Sequence, residues 1–138
     1  MRVSQRLDYA LRLLVLLAMQ PPGEHVVVGD LADGMGLPRR FAEQQMSALA
    51  RAGVVRCRRG AAGGCALARP ADSITVREVV EALEGAALDV PRQPGSASAE
   101  AWAATADVLA AHLDRVNLGA LAGRQRELDA NASPMYYI

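Results

Sequence analysis

The spacing of apolar residues predicts that the chain begins with a series of helices. The first follows Ser4, a good N-terminal capping residue, and ends before Pro21-Pro22-Gly23. Its apolar residues recur three and four positions apart and cover most of its circumference, which is typical of a buried helix. Two shorter helices are predicted over residues 29–35 and 39–52, with a turn at Gly36 between them. Two short helices joined by a turn are the components of a helix-turn-helix.

The pattern then changes to two short strands. Residues 54–58 and 65–68 are predicted to pair as a hairpin around a glycine-rich loop. Three arginines, Arg56, Arg58 and Arg59, lie on this hairpin. A basic hairpin directly after a helix-turn-helix is typical of the wing of a winged-helix domain, and its arginines suit the narrow, electronegative minor groove of DNA.

The rest of the chain is predicted to be helical. One helix begins at Ile74-Thr75 and ends at Gly85, and a last short helix begins at Leu118 with Asn117 as its cap. Between them, a long helix is predicted over residues 100–116, with apolar residues at the a/d spacing of a helix–helix seam. The seam residues are Trp102, Ala106, Leu109, Leu113 and Val116.

The charges are distributed unevenly although they sum to zero. The 138 residues carry fifteen basic and fifteen acidic side chains, and every basic one is arginine. Residues 1–70 have a net charge of +5 and residues 71–138 a net charge of −5. A neutral composition would argue against a nucleic-acid partner, but this asymmetry predicts a basic binding half and an acidic half with another role.

Several classes of protein are not expected. The sequence has no nucleophile–base pair, no phosphate-binding loop before a helix and only two histidines, so we expect no enzyme. The apolar run over residues 13–19 is too short to span a membrane, and no signal-peptide cleavage site follows it. We therefore expect a cytoplasmic protein with reduced thiols. The alternative to a DNA-binding protein is an acidic regulatory subunit that binds another protein and whose basic half only stabilises it.

An ordered series of motifs resembles the Rrf2 family of bacterial regulators, most strongly over residues 1–85. The resemblance implies a homodimeric winged-helix transcription factor, often a repressor, that binds a partly palindromic double-stranded DNA operator. The implied fold class is mainly α with a small β-hairpin: a DNA-binding domain over residues 1–85, a linker over 86–99, and a dimerisation helix, short helix and tail over 100–138. The motifs are Asp8-Tyr9-Ala10-Leu11-Arg12, Arg51-Ala52-Gly53-Val54-Val55, Arg59-Gly60-Ala61-Ala62-Gly63-Gly64 and Leu67-Ala68-Arg69-Pro70.

The resemblance also implies which residues contact DNA. In the iron–sulphur regulator subgroup, positions matching Glu43 and Gln44 read bases, and a wing arginine matching Arg59 enters the minor groove. Glu43 could accept a hydrogen bond from cytosine, and Gln44 or Gln45 could reach adenine. The alternative is that these residues are solvated polar side chains with no role in DNA binding. The complete predicted set is Arg39 and Arg40, expected mainly at phosphates, with Glu43, Gln44, Arg58, Arg59 and Gly60.

The cysteines differ from those of cluster-binding members of the family. Those members hold an iron–sulphur cluster through three cysteines in the loop before the dimerisation helix, and residues 86–99 here contain none. We therefore expect no cofactor or metal, with Asp8 on a helix surface and His112 in solvent. Cys57 and Cys65 would lie nearly opposite each other in the wing. We expect them to fill space as small apolar residues; the alternative is a redox pair, because the adjacent arginines favour a thiolate.

The last residues resemble those of a cluster-free branch of the family, the cysteine-metabolism repressors. In that branch the regulator partners with cysteine synthase. The resemblance implies a partner site at Tyr136, Tyr137 and Ile138 and a role in cysteine or sulphur metabolism. The alternative is that these three residues pack against the protein's own dimer core.

Overall fold

A computed structural model describes residues 2–59 and 64–132. It shows six α-helices and a two-stranded antiparallel sheet within that part of the chain, which confirms the predicted fold class. In chain order the elements are α1 (Gln5–Ala18), α2 (Val28–Gly34), α3 (Arg39–Arg51), β1 (Val55–Arg58), β2 (Gly64–Leu67), a 3-10 turn (Ala71–Ser73), α4 (Val76–Glu84), α5 (Ala97–Leu113) and α6 (Leu118–Ala132).

Helix α1 lies at the centre of the fold. Its N-terminus is capped as predicted, because the Ser4 hydroxyl accepts a hydrogen bond of 3.1 Å from the Leu7 N–H. One side of the helix is completely buried and includes Leu13 and Leu14. Helices α2, α3, α4 and α6 and strand β2 all contact it. Since each of these elements buries apolar residues against the same helix, α1 sets their relative positions.

The helix-turn-helix consists of α2 and α3. Gly36 adopts a φ of +69°, and the Leu37 N–H donates to the Ala32 carbonyl at 2.8 Å to close the turn between the helices. The inner face of α3 buries Ala42 and Leu49, together with Met46. These contacts leave the opposite face of α3 in solvent.

The wing pairs as predicted but also includes a strand segment that the sequence did not reveal. Val55 lies opposite Leu67, and Cys57 lies opposite Cys65. Val26 pairs with the other side of β2 as an antiparallel bridge. Its N–H donates to the Cys65 carbonyl at 2.9 Å, and its carbonyl accepts from the Cys65 N–H at 2.8 Å. Gly64 has a φ of +93°, and a Cβ there would lie 2.6 Å from the Val26 oxygen. The glycine therefore allows the wing to approach Val26 closely.

The two C-terminal helices differ in their bounds from the prediction. Helix α5 begins at Ala97, after the capping residue Ser96, and ends at Leu113, so that Val116 lies in the following turn. That turn pairs with the start of α4, because the Val116 carbonyl accepts a hydrogen bond of 2.8 Å from the Val76 N–H. This backbone pairing replaces the last helical turn that the apolar spacing predicted.

Helix α6 has fifteen residues and is longer than the predicted short helix. Asn117 caps it as predicted, with its side-chain oxygen accepting from the Ala120 N–H at 2.8 Å. Leu118 and Ala122 are buried, and the helix packs along α1 of the same chain. No helix within the described ranges is long and apolar enough to cross a membrane.

Candidate nucleic-acid interface

The outer face of α3 presents polar side chains to solvent. Arg40, Glu43, Gln44 and Ser47 are all exposed, while the apolar residues of the helix face the core. The spacing of three or four residues places these side chains along one stripe of the helix. This is the arrangement that a recognition helix needs in order to reach base edges in the major groove.

Gln45 does not belong to this stripe. Its side chain is buried among the apolar residues of α3, with only 7% of the residue's surface accessible. The interpretation that Gln45 could reach adenine is therefore wrong, because a buried amide cannot contact a base edge. Gln44, one position earlier, is exposed.

Arg39 is held by an acidic pair on α2. Its Nε donates to one Asp33 carboxylate oxygen at 3.2 Å and a terminal nitrogen donates to the other at 2.5 Å. The same guanidinium lies 3.7 Å from the Asp30 carboxylate. The hydrogen bonds from Arg39 lower the pKa of Asp33 below its ordinary value, and the positive charge of Arg39 acts in the same direction. Arg39 therefore links the two helices of the helix-turn-helix.

The wing carries three arginines, of which Arg58 lines a cleft with α3. Arg56, Arg58 and Arg59 are exposed. A cleft of about 250 Å³ is lined by residues of α3, including Glu43, and by residues of the wing, including Arg58. Residues of α3 and of the wing that the sequence predicts as DNA contacts therefore line one cleft. The complete lining is Val27, Val28, Gly29, Glu43, Ser47, Cys57, Arg58, Gly64 and Cys65.

The two cysteines form a disulfide across the wing. Cys57 and Cys65 are bonded, with their Cα atoms 4.1 Å apart. The expectation of reduced thiols that only fill space is therefore wrong in this structure. Direct opposition in the hairpin, which the sequence predicted, brings the two side chains within bonding distance. Cys65 is buried and Cys57 is exposed, so one end of the bond faces solvent.

The donor set does not suit an iron–sulphur cluster. Cluster iron requires thiolate ligands, and the only two cysteines of the chain are bonded to each other. Among the residues that the structure describes, no group of three or more His, Cys, Asp or Glu side chains could hold a metal ion. Asp8 instead forms an ion pair of 3.0 Å with Arg12 on the surface of α1. His112 is exposed on α5.

Helix α5 carries an apolar surface that is partly exposed among the described residues. Only Ala99 of its seventeen residues is buried, and 51% of the surface of Trp102 is accessible. Ala106, Leu109 and Leu113 are half-buried, so the described residues 2–59 and 64–132 cover the predicted seam incompletely. Two of the predicted sites lie outside the described residues. They are the DNA contact at Gly60 and the partner site at Tyr136, Tyr137 and Ile138.

Comparisons with known proteins agree with this geometry. The family model of Rrf2, an iron-dependent transcriptional regulator, matches residues 3–124. The chain is 31% identical over 132 residues to Rv1287 of Mycobacterium tuberculosis, named as an HTH-type transcriptional regulator, covering 89% of this chain and 82% of that protein. It is 28% identical over 140 residues to the HTH-type transcriptional regulator IscR of Escherichia coli, covering 95% and 86%. The solved structure of CymR, the global cysteine regulator of B. subtilis, superposes with a TM-score of 0.78 at 28% identity, covering 90% of this chain and 98% of that one.

The pairing of Arg39 with Asp33 predicts a measurable titration. In the Arg39→Gln variant, the pKa of Asp33 should rise towards its ordinary value, as followed by NMR of the carboxyl carbon. Because folding lowers this pKa, the pair stabilises the native state above the unfolded-state pKa. That contribution is lost as the pH falls through the lowered folded-state pKa. The Arg40→Gln variant, which removes the same charge at the next position, should leave Asp33 unchanged. An unaltered Asp33 titration in Arg39→Gln would contradict the assignment.

Proposed function

The chain belongs to the Rrf2 family of transcriptional regulators, and from this membership we propose that it acts as a homodimeric repressor of a partly palindromic operator. The protein is a DNA-binding regulator and not an enzyme. The observation that supports the operator proposal most directly is the shared cleft, which Glu43 of α3 and Arg58 of the wing both line. A helix in the major groove and an arginine hairpin in the adjacent minor groove would then contact the duplex together.

Within this proposal the exposed residues divide into base and backbone contacts. Glu43 accepts from a cytosine amino group and Gln44 pairs with adenine, since both lie on the exposed stripe. Arg40 and Arg58 contact phosphates, and Arg59 enters the minor groove beside Gly60. Because the arginines lie on separate elements, they would fix the orientation of the protein on the duplex.

Arg39 has a second role in this proposal. A guanidinium has five N–H donors, and Asp33 accepts two hydrogen bonds from Arg39. The remaining donors are available to a phosphate oxygen. Asp33 would hold the arginine in one orientation before DNA arrives, which reduces the conformational entropy lost on binding.

The homodimer is proposed to form through α5. An exposed helix with Trp102 half in solvent and Leu109 half-buried would bury both residues against the same helix of a second chain. The two-fold symmetry of such a pair matches a palindromic operator. In this organisation residues 1–85 bind DNA, residues 86–99 connect, and residues 100–138 carry the dimer seam and the tail.

The regulated process is proposed to be cysteine or sulphur metabolism. The support is the similarity to the cysteine regulator CymR and the absence of cysteine from residues 86–99. Iron does not enter this proposal, because both cysteines are joined to each other. Chromosomal DNA as the target implies action in the cytoplasm. Cysteine synthase is the proposed protein partner, bound through Tyr136, Tyr137 and Ile138.

Removing the wing arginine should weaken DNA binding and reduce its salt dependence. We expect Arg59→Ala to cost about 1–3 kcal/mol of binding free energy and to lower the salt slope by about one. Fluorescence anisotropy with an operator duplex over a salt series measures both quantities. Arg124→Ala is the matched control, because it removes the same charge from α6, outside α3 and the wing. An equal effect of the two substitutions would exclude a specific role for the wing.

Placing a charge in the seam should dissociate the dimer. Leu109→Glu is expected to convert the protein to monomers in analytical ultracentrifugation and to abolish operator binding, because a buried unpaired carboxylate would be strongly unfavourable. Ala104→Glu lies on the same helix but off the a/d positions and should leave the dimer intact. A dimer that survives Leu109→Glu would show that another surface joins the chains.

Removing the last two residues tests the partner. Full-length protein should capture purified cysteine synthase in a pull-down, and a variant that ends at Tyr136 should not. Operator binding by the shortened protein serves as the control for folding. Equal capture by both forms, or none by either, would remove cysteine synthase from the proposed function.

A further inference from the structure

The wing disulfide joins strand β1 to strand β2, which is also hydrogen-bonded to Val26. Cys65 uses both its backbone N–H and its carbonyl to pair with Val26, so these groups point away from β1. Cys57 lies directly opposite Cys65 with a Cα–Cα distance of 4.1 Å. The two cysteines therefore occupy a non-hydrogen-bonded position of the antiparallel ladder, where side chains are closest. At this level of the wing, the Sγ–Sγ bond is the direct connection between the strands.

The two strands are held to different degrees. In β2, Cys65 and Ala66 are buried, and Cys65 is bonded to Val26 on its other side. In β1, every residue after Val55 is exposed, and β1 pairs with β2 alone among the strands that the structure describes. Strand β1 contains Arg58 and leads into Arg59, so the freedom of this strand determines how firmly these two arginines are held.

The surroundings of the pair favour thiol chemistry. Cys57 is exposed and is followed in β1 by Arg58, whose positive charge favours a thiolate. Arg58 lines the same cleft as both cysteines. Cys65 is 5% exposed, so a dissolved reagent reaches Cys57 first. One accessible thiolate next to one protected thiol is the arrangement required for stepwise disulfide formation.

We propose that Cys57 and Cys65 are a reversible redox site through which a low-molecular-weight disulfide sets the affinity of the protein for DNA. The Cys57 thiolate attacks one sulphur of that disulfide and breaks its S–S bond. The first half leaves as a thiolate and takes up the proton that Cys57 released. The Cys65 thiol then loses its proton and attacks Cys57 Sγ, displacing the second half as a thiol. Two electrons pass from the cysteine pair to the small disulfide, which is reduced to two thiols.

The oxidised form is the one with higher affinity in this inference, which rests on the proposed DNA-binding function. With the bond present, Arg58 and Arg59 follow a strand that is covalently tied to β2. After reduction, the outer strand is held at this level only by its neighbouring backbone pairs, and ordering it costs conformational entropy on binding. We expect reduction to weaken DNA binding about tenfold, the cost of ordering one or two long side chains with their backbone.

The test compares the two redox states of the full-length protein on one defined duplex. The duplex is selected by wild-type protein from a pool of random sequences, and its affinity is measured by fluorescence anisotropy. Protein is treated with dithiothreitol or with oxidised glutathione, and mass spectrometry reports the loss of two hydrogen atoms per chain. Cys57→Ser should bind like the reduced wild type in both treatments. Because Cys57 is exposed, serine at that position preserves the core. Cys65→Ser is the second variant that cannot form the disulfide, and it should behave in the same way.

The outcomes separate this inference from the function on which it rests. Equal affinities of the two forms, with complete conversion seen by mass, would overturn the redox site and leave DNA binding intact. Failure of oxidised glutathione to join the pair would overturn it as well. If no duplex is enriched or bound in a salt-dependent way in either state, the proposed operator-binding function fails.

Discussion

The burial of α1 is the constraint on which the rest of the structure depends. Leu13 and Leu14 are completely inaccessible, and four helices and strand β2 pack around the helix that carries them. A fully buried leucine stabilises a fold by about 1.5–3 kcal/mol relative to an exposed one. Because α3 and β2 both bury residues against α1, the recognition helix and the wing have a defined spacing. DNA recognition requires that spacing, since the two elements must fit adjacent grooves of one duplex.

A second consequence of this central helix is a division of the surface. The apolar residues of α1, α2, α3 and the wing strands pack into one core around α1, and the arginines of these elements lie on the outside of that core. Helix α5 makes little contact with that core and leaves Trp102 half in solvent. The charge asymmetry is one of sequence: residues 1–70, which include α3 and both wing strands, have a net charge of +5, and residues 71–138 have a net charge of −5. A neutral total charge is therefore compatible with exposed arginines on α3 and the wing.

Local patterns predicted those features that depend on neighbours in sequence. The Ser4 and Asn117 caps, the turn at Gly36 and the opposition of Cys57 to Cys65 are each determined within a few residues. The bounds of α5 were predicted less well, because the Val116 carbonyl pairs with Val76, forty residues earlier in the chain. The Val26 strand segment was missed for the same reason: a single pair of hydrogen bonds to Cys65 leaves no periodic pattern.

The sequence by itself determined the order of the elements, the helical faces and the arginine-rich wing, since these follow from spacing and composition. The tertiary structure alone decided that Gln45 is buried in the core, that Arg39 is hydrogen-bonded to Asp33, and that the two cysteines form a disulfide. Each of these depends on what lies across a contact between elements. Helical spacing places Gln45 three residues after Ala42 and about 100° away from Gln44. A polar side chain at that position gives no signal of burial, so only the packing of α3 against its neighbours shows that Gln45 is buried while Gln44 stays exposed.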